Sequence, residues 1–364
     1  MSRGSTRIFN ANRFKLGLFG LNCSGGVTMT TAPERWQASW ENNVAAAKLA
    51  DEAGLEFLLP VARWLGYGGE ADPEGTSLET LTWASGLLAS TSDIVTFATV
   101  HTPLIHPVFA AKQLVTADLI GKGRFGLNIV SGWHPDEFEM FGLELREHDE
   151  RYAYSEEWIA IVRRVWSESE PFDFKGRYFD LKGVAGNPKP FGDERPLTMS
   201  AGSSPAGRAF AARHADCLFM VIPSLDTLAE EVSAQRGSAA PRRVGVYASG
   251  HLICRRTQKE TEEYYHYVVH EMGDWEAAEH SVDIRRHGQS LPAEMLASMK
   301  ERFVAGLGTF PVVGGPDEVA AKFKRLSDAG LDGMAVGLVN YIADFPVLRD
   351  EVLPRMARLG LRAS

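Results

Sequence analysis

Cysteine is scarce. There are three in 364 residues, Cys23, Cys217 and Cys254, widely separated and odd in number. No Cys-x-x-Cys pair and no Cys/His cluster accompanies them, so neither a disulfide framework nor a structural zinc site is supported. His101 and His106 stand five apart without an H-E-x-x-H or grouped carboxylates, and no metal is expected. No G-x-S-x-G nucleophile elbow is present either. Positive charge is in deficit: the formal net charge of −9 argues against a nucleic-acid or anionic-membrane partner, since both need a basic surface. Apolar runs fall far short of a membrane span. Met1 to Asn12 is polar and lacks the apolar stretch of a signal peptide. These absences together predict a cytoplasmic protein of a reducing compartment.

What is present is ordinary globular material, 45% hydrophobic and 23% charged, enough for a large core. Short β-branched or apolar runs alternate with helix-period segments from end to end. Strands are expected at 14–21, 57–61, 94–100, 125–130, 197–201, 218–222, 244–252 and 334–339. Helices are expected at 35–53, 78–89, 108–120, 151–166, 206–214, 225–235, 260–272, 316–329 and 345–359. Near-continuous apolar strands between amphipathic helices mark a parallel sheet covered on its outer face. Eight such units favour closure into a (β/α)8 TIM barrel, a single domain over 1–364. An open dinucleotide-binding sheet would carry G-x-G-x-x-G after its first strand; here that turn reads Asn22-Cys23-Ser24-Gly25-Gly26. Three stretches exceed ordinary connections and read as insertions: 132–147, 170–196 and 273–310. The last contains Arg285, Arg286 and His287 and is expected to be a lid over the site or surface decoration.

Barrel chemistry sits at the C-terminal ends of the strands. There the third strand ends in Thr99-Val100-His101, the fourth in Asn128-Ile129-Val130, and the fifth runs through Gly202, Ser203 and Ser204 into a helix. A small-residue turn at a helix N-terminus can hold a phosphate through free N–H groups and the helix dipole. Ser204 before Pro205 is equally an ordinary helix cap, the simpler reading of the residues alone. Arg151 and Tyr152 could supply donors to the same anion, or simply open a solvated helix. Asn128 is less easily set aside: an amide inside an apolar strand must find partners or cost roughly 1–3 kcal/mol. A barrel with a candidate phosphate turn and no acid–base dyad suggests that a cofactor carries the hard chemistry.

These residues fall into a recognisable frame. Leu87 to Val100, His106-Pro107 with Lys112-Gln113, and Gly123-Arg124-Phe125-Gly126-x-Asn128-x-Val130-Ser131-Gly132-Trp133 resemble the luciferase-like flavin monooxygenases. The branch they are most similar to is the one containing pyrimidine oxygenase and dimethylsulfone monooxygenase. Supporting segments are Gly66 to Gly69, Glu147 to Tyr152, Phe174-x-Gly176-x-Tyr178-Phe179, Pro188-x-Pro190 and Ala201 to Ser204. The resemblance implies a two-component monooxygenase that takes FMN as FMNH2 from an NAD(P)H-dependent flavin reductase. O2 and a small organic substrate complete the reaction, and the enzyme is expected to be a homodimer or homotetramer. Tyr152, Ser203 and Ser204, with Arg151 nearby, would hold the flavin phosphate. Ala62, Arg63, Asn128 and Glu137 would line the flavin. Thr99 and Asn128 match the oxygen pocket of the pyrimidine enzyme, which implies oxygen chemistry at flavin N5. The alternatives are a deazaflavin-dependent hydride-transfer oxidoreductase and a non-catalytic flavin-binding protein. The loop 22–31 and the segment 270–309 depart from the family pattern, leaving the substrate open.

Overall fold

The computed structural model describes residues 4, 6–202, 204–287 and 299–363. The order begins β1 (Lys15–Phe19), α1 (Trp40–Glu52), β2 (Phe57–Leu59), α2 (Thr80–Ser90), β3 (Val95–His101), α3 (Pro107–Ile120) and β4 (Phe125–Val130). It continues with α4 (Pro135–Met140), α5 (His148–Ser167), β5 (Phe172–Lys175), β6 (Asp180–Val184), β7 (Leu197–Ala201), α6 (Pro205–His214), β8 (Cys217–Met220) and α7 (Leu228–Ala239). Then follow β9 (Gly245–Ile253), α8 (Gln258–Tyr265), α9 (Trp275–His287), α10 (Lys300–Gly306), β10 (Phe310–Val313), α11 (Pro316–Asp328) and β11 (Gly333–Gly337). Helical turns between Phe345 and Arg358 end the chain.

Parallel pairing runs β1–β2–β3–β4–β7–β8–β9–β11 and returns to β1, so eight strands close into the expected barrel. Its interior is packed by Phe57, Leu59, Val95, Phe97, Leu197, Met199, Cys217 and Tyr247, with Ile8 in the same cluster. Two strand glycines make room for the aromatics: a Cβ on Gly17 would lie 2.6 Å from the Phe57 ring, and one on Gly126 2.4 Å from Phe97. Helices α1–α3, α5 and α11 bury their apolar faces against the outside of the strands.

Much of the family frame proves to be scaffold. The His106 Nδ1 accepts from Val108 N at the start of α3, with Pro107 in the first helical position. Arg124 donates to the carbonyls of Leu88, Thr91 and Ile94, tying α2 to the β3 entry. Glu157 accepts from the backbone of Arg177, Tyr178 and Phe179, fixing the tip of the β5–β6 hairpin. That hairpin occupies the 170–196 stretch, outside the barrel.

The 273–310 stretch is built into the body. Asp274 caps α9 through Ala277 N at 3.0 Å and accepts from Ala71 N at 2.7 Å. His280 Nδ1 lies 2.8 Å from the Tyr67 carbonyl, and β10 pairs in parallel with Gly250–Ile253 of β9. The part of the expected lid at 288–298 lies outside the described residues.

Candidate active site

The register pairs Thr99 of β3 with Asn128 of β4, so their side chains leave adjacent strands on the same face. Asn128 Nδ2 donates to Thr99 Oγ1 at 3.1 Å, and Thr99 Oγ1 donates to the Pro60 carbonyl at 2.7 Å. Asn128 is 9% exposed, and its Oδ1 is buried with no hydrogen-bond partner. A buried amide that satisfies one end and leaves the other open points at something the protein itself does not provide.

Beside this pair lies a buried ionic cluster. Arg63 follows β2, just after the half-buried Ala62. Its Nε donates to Glu74 at 2.7 Å and its Nη1 to Glu137 Oε1 at 3.2 Å. The same Glu137 oxygen accepts from Trp64 N at 2.7 Å and Leu65 N at 3.2 Å, while Glu137 Oε2 is buried and unpartnered. Burial alone would lower the Arg63 pKa; the neighbouring Tyr67, Glu74 and Glu137 outweigh it and hold the guanidinium charged. Burial likewise disfavours the Glu137 carboxylate, but Arg63 and the Trp64 N–H overcome it, leaving its pKa below the ordinary value. The Arg63 guanidinium carbon sits 4.9 Å from the Trp133 ring centroid and that of Arg285, from α9, at 5.0 Å. Arg285 also donates to Tyr67 Oη at 2.9 Å. Two cations against one indole form a rigid wall on this side of the mouth.

The second part of the site is the α6 N-terminus. Ser204 Oγ accepts from Gly207 N at 3.0 Å, the capping geometry its sequence position allows. Tyr152 hydrogen-bonds to Ser204; burial pushes its phenol pKa up, and the Ser204 bond offsets part of the rise. The turn tolerates only small residues: a Cβ on Gly202 would lie 2.3 Å from Gly207 C, and one on Gly207 2.5 Å from Tyr152 Oη. Arg151 is buried, and its Nη1 donates to the Gly132 carbonyl at 2.7 Å. Ser203 lies outside the described residues.

Residues 14–333 match the model of the luciferase-like monooxygenase family. The chain belongs to the luciferase-like monooxygenases. It is 30% identical over 357 residues to an FMNH2-dependent dimethylsulfone monooxygenase of Pseudomonas fluorescens, covering 94% of each. It is 29% identical to a pyrimidine monooxygenase of Bradyrhizobium, covering 91% of this chain and 89% of the relative. Among solved structures it resembles a riboflavin lyase with modified FMN and riboflavin, at a TM-score of 0.85 and 22% identity, over 96% and 93% of the two chains.

Within this luciferase-like monooxygenase, Thr99 is joined to Asn128 and Arg63 to Glu137, with Ala62 next to Arg63 in the chain. Tyr152 and Ser204 meet at α6. Sequence reasoning missed His134, Glu74 and the Arg285–Tyr67–Trp133 contact. His134 carried a legible signal, a histidine directly after Gly132-Trp133 at a strand end; the Arg285–Tyr67 bond, across 218 residues, carried none. Among the described residues, no three His, Cys, Asp or Glu side chains come together as a metal site. Cys23, Cys217 and Cys254 form no disulfide among the described residues and are buried. Among the described residues, no helix is long and apolar enough to cross a membrane.

Proposed function

We propose that the chain is the oxygenating component of a two-component system: it takes reduced FMN and O2 and oxygenates a small organic compound. The observation that carries this reading is the Asn128–Thr99 pair, hydrogen-bonded to each other at the strand ends with Asn128 Oδ1 left buried and open. The residues present fit a flavin. Asn128 Oδ1 and Glu137 Oε2 are orphaned acceptors suited to the N–H edge of a polar ring. Gly202 and Gly207 pack too closely for a Cβ, and the helix N-terminus they form offers an anion backbone N–H groups and the helix dipole.

Tyr152, Ser204 and Ser203 would hold the phosphate; Ala62, Arg63, Asn128 and Glu137 would line the ring. Bound, reduced FMN supplies the electrons that activate O2. Thr99 and Asn128 orient oxygen beside it, and Thr99 is itself fixed by Pro60. Arg63, locked between Glu74 and Glu137, holds the ring-lining strand end in one geometry. Arg151 braces Gly132 and so sets the turn that carries Trp133. The wall formed by Trp133, Tyr67 and Arg285 keeps bulk water off that side. The flavin comes from a separate NAD(P)H-dependent reductase, and the protein works as a homodimer or homotetramer. The FMNH2-dependent and pyrimidine monooxygenase relatives support this reading over deazaflavin hydride transfer.

The test is reductase-coupled O2 consumption across a panel of small organic compounds, with anaerobic binding of FMNH2 and reduced deazaflavin measured in parallel. Tight FMNH2 binding and substrate-dependent O2 uptake are expected. Preference for the deazaflavin, or FMNH2 binding with no compound ever stimulating O2 uptake, would refute the proposal.

A further inference from the structure

His134, the residue after Trp133, is 2% exposed, and both of its ring nitrogens are buried without a hydrogen-bond partner. His101, at the end of β3, is also buried, with Nδ1 unpartnered. His251 of the packed body is equally buried and keeps one nitrogen bonded, its Nδ1 at 3.0 Å from Thr309 Oγ1, with Nε2 open; His134 has both nitrogens open. Each orphaned buried polar atom costs about 1–3 kcal/mol, so several in one cluster are not the residue of good packing. Both rings feel the charge of Glu137, whose Oε2 is orphaned in the same way.

The charges around the two rings balance. Glu137, Arg63 and His134 face His101; Glu137, Arg63, Asp136 and Arg285 face His134. Of the buried groups, Arg63 and Arg285 oppose Glu74 and Glu137, two against two, while Asp136 is exposed. Burial holds both imidazoles neutral, His101 down to about 4 and His134 below its ordinary value. The cluster therefore offers no spare cation to a carboxylate, sulfonate or phosphate. It offers neutral imidazoles, each with one donor and one acceptor. Arg285, against Trp133, Tyr67 and Phe303, closes the adjoining side and limits what fits.

We propose that His134, with His101 behind it, is the polar anchor for the substrate, and that the substrate is a compact uncharged molecule whose sulfonyl, carbonyl or ring N–H groups complete the open imidazole hydrogen bonds. This rests on reading the site as that of an oxygenase, and names its substrate class.

The FMN-loaded protein, labelled with 15N-histidine, tests it. Dimethylsulfone, sulfolane, uracil and 2-pyrrolidone would be titrated in, beside the anions methanesulfonate and orotate. His134→Gln and His101→Gln assign the resonances. At least one uncharged compound should shift the His134 nitrogens, no anion should, and His134→Gln should weaken that compound's binding by about tenfold. FMN affinity should stay unchanged in the variant. A His134 signal indifferent to every uncharged compound, or an anion bound as tightly as its neutral counterpart, overturns the anchor. FMN affinity of the unmodified protein is read from the same samples. Its loss would sink the oxygenase reading, whereas retained affinity with a silent His134 sinks only the anchor.

Discussion

Replacing Thr99 by Val and Asn128 by Ala should separate stability from function in opposite orders. Thr99 Oγ1 donates to Pro60 and accepts from Asn128, so Thr99→Val strands two buried partners at once. At about 1–2 kcal/mol for each orphan, less about 0.8 for an added buried methyl, the cost is about 1–3 kcal/mol. For 364 residues, an unfolding entropy of about 2.1 cal/mol/K per residue sums to about 0.8 kcal/mol/K, so Tm should fall by about 2–4 °C. Asn128→Ala gives up one bond but also removes an oxygen that had no partner, and leaves Thr99 bonded to Pro60. Its cost should stay below about 1 kcal/mol, a shift of about 1 °C. Yet Asn128→Ala should be the variant that uncouples: FMNH2 is consumed, peroxide is released and little product forms. Calorimetry gives the first comparison and product formed per FMNH2 consumed gives the second. If Asn128→Ala is as destabilising as Thr99→Val while coupling stays normal, Asn128 is a structural residue and the oxygen-pocket assignment fails.

Three further outcomes follow from the same geometry. Glu137→Ala leaves Arg63 with one carboxylate and two backbone N–H groups without acceptors, and should cost about 3–5 kcal/mol, a Tm drop of about 4–6 °C; a shift under 1 °C would show that the cluster contributes nothing. Ser204→Ala combined with Tyr152→Phe should weaken FMNH2 binding at least tenfold while costing only about 1–2 kcal/mol for the lost cap and bond, and unchanged flavin affinity would remove the phosphate site. Acid should destabilise the fold early: burial holds His101 at about 4 and His251 at about 3, so the unfolded chain takes up those protons first as pH falls below about 6.5. Asp118, held up to about 6 by burial, works the other way and offsets part of the loss. Between pH 7 and 5 the net loss should be about 2–3 kcal/mol, read from urea midpoints, and a midpoint that holds or rises at pH 5 contradicts the burial argument.

The barrel was legible because its strands are buried on both faces. Phe125–Val130 and Leu197–Ala201 are found residue for residue where apolar runs stop at glycine or polar residues. The β5–β6 hairpin was hidden inside a stretch read as an insertion, and β10, at the end of another, was not expected as a strand. Four or five residues are too few to show a period, and what makes them strands is a partner elsewhere in the chain. At the site, the Thr99–Asn128 adjacency followed from strand order alone. The bond from Arg151 to the Gly132 carbonyl did not: nothing in a helix start names that partner. The wall of Arg285, Tyr67 and Trp133 depends on an insertion folding back across the mouth, which no local pattern encodes.

The pairing of β10 with the last four residues of β9 bears on how such enzymes can be recombined. Trimming the insertion through β10, or exchanging that span for a relative's, would strip Gly250–Ile253 of its neighbour and leave a bare ladder edge open to another chain. Arg302, which reaches from α10 to the Ile222 and Thr309 carbonyls, would go with it. A chimera that moves β9 through β10 as one cassette keeps that seam intact. One cut at the ends of the insertion should precipitate before its chemistry can be assayed.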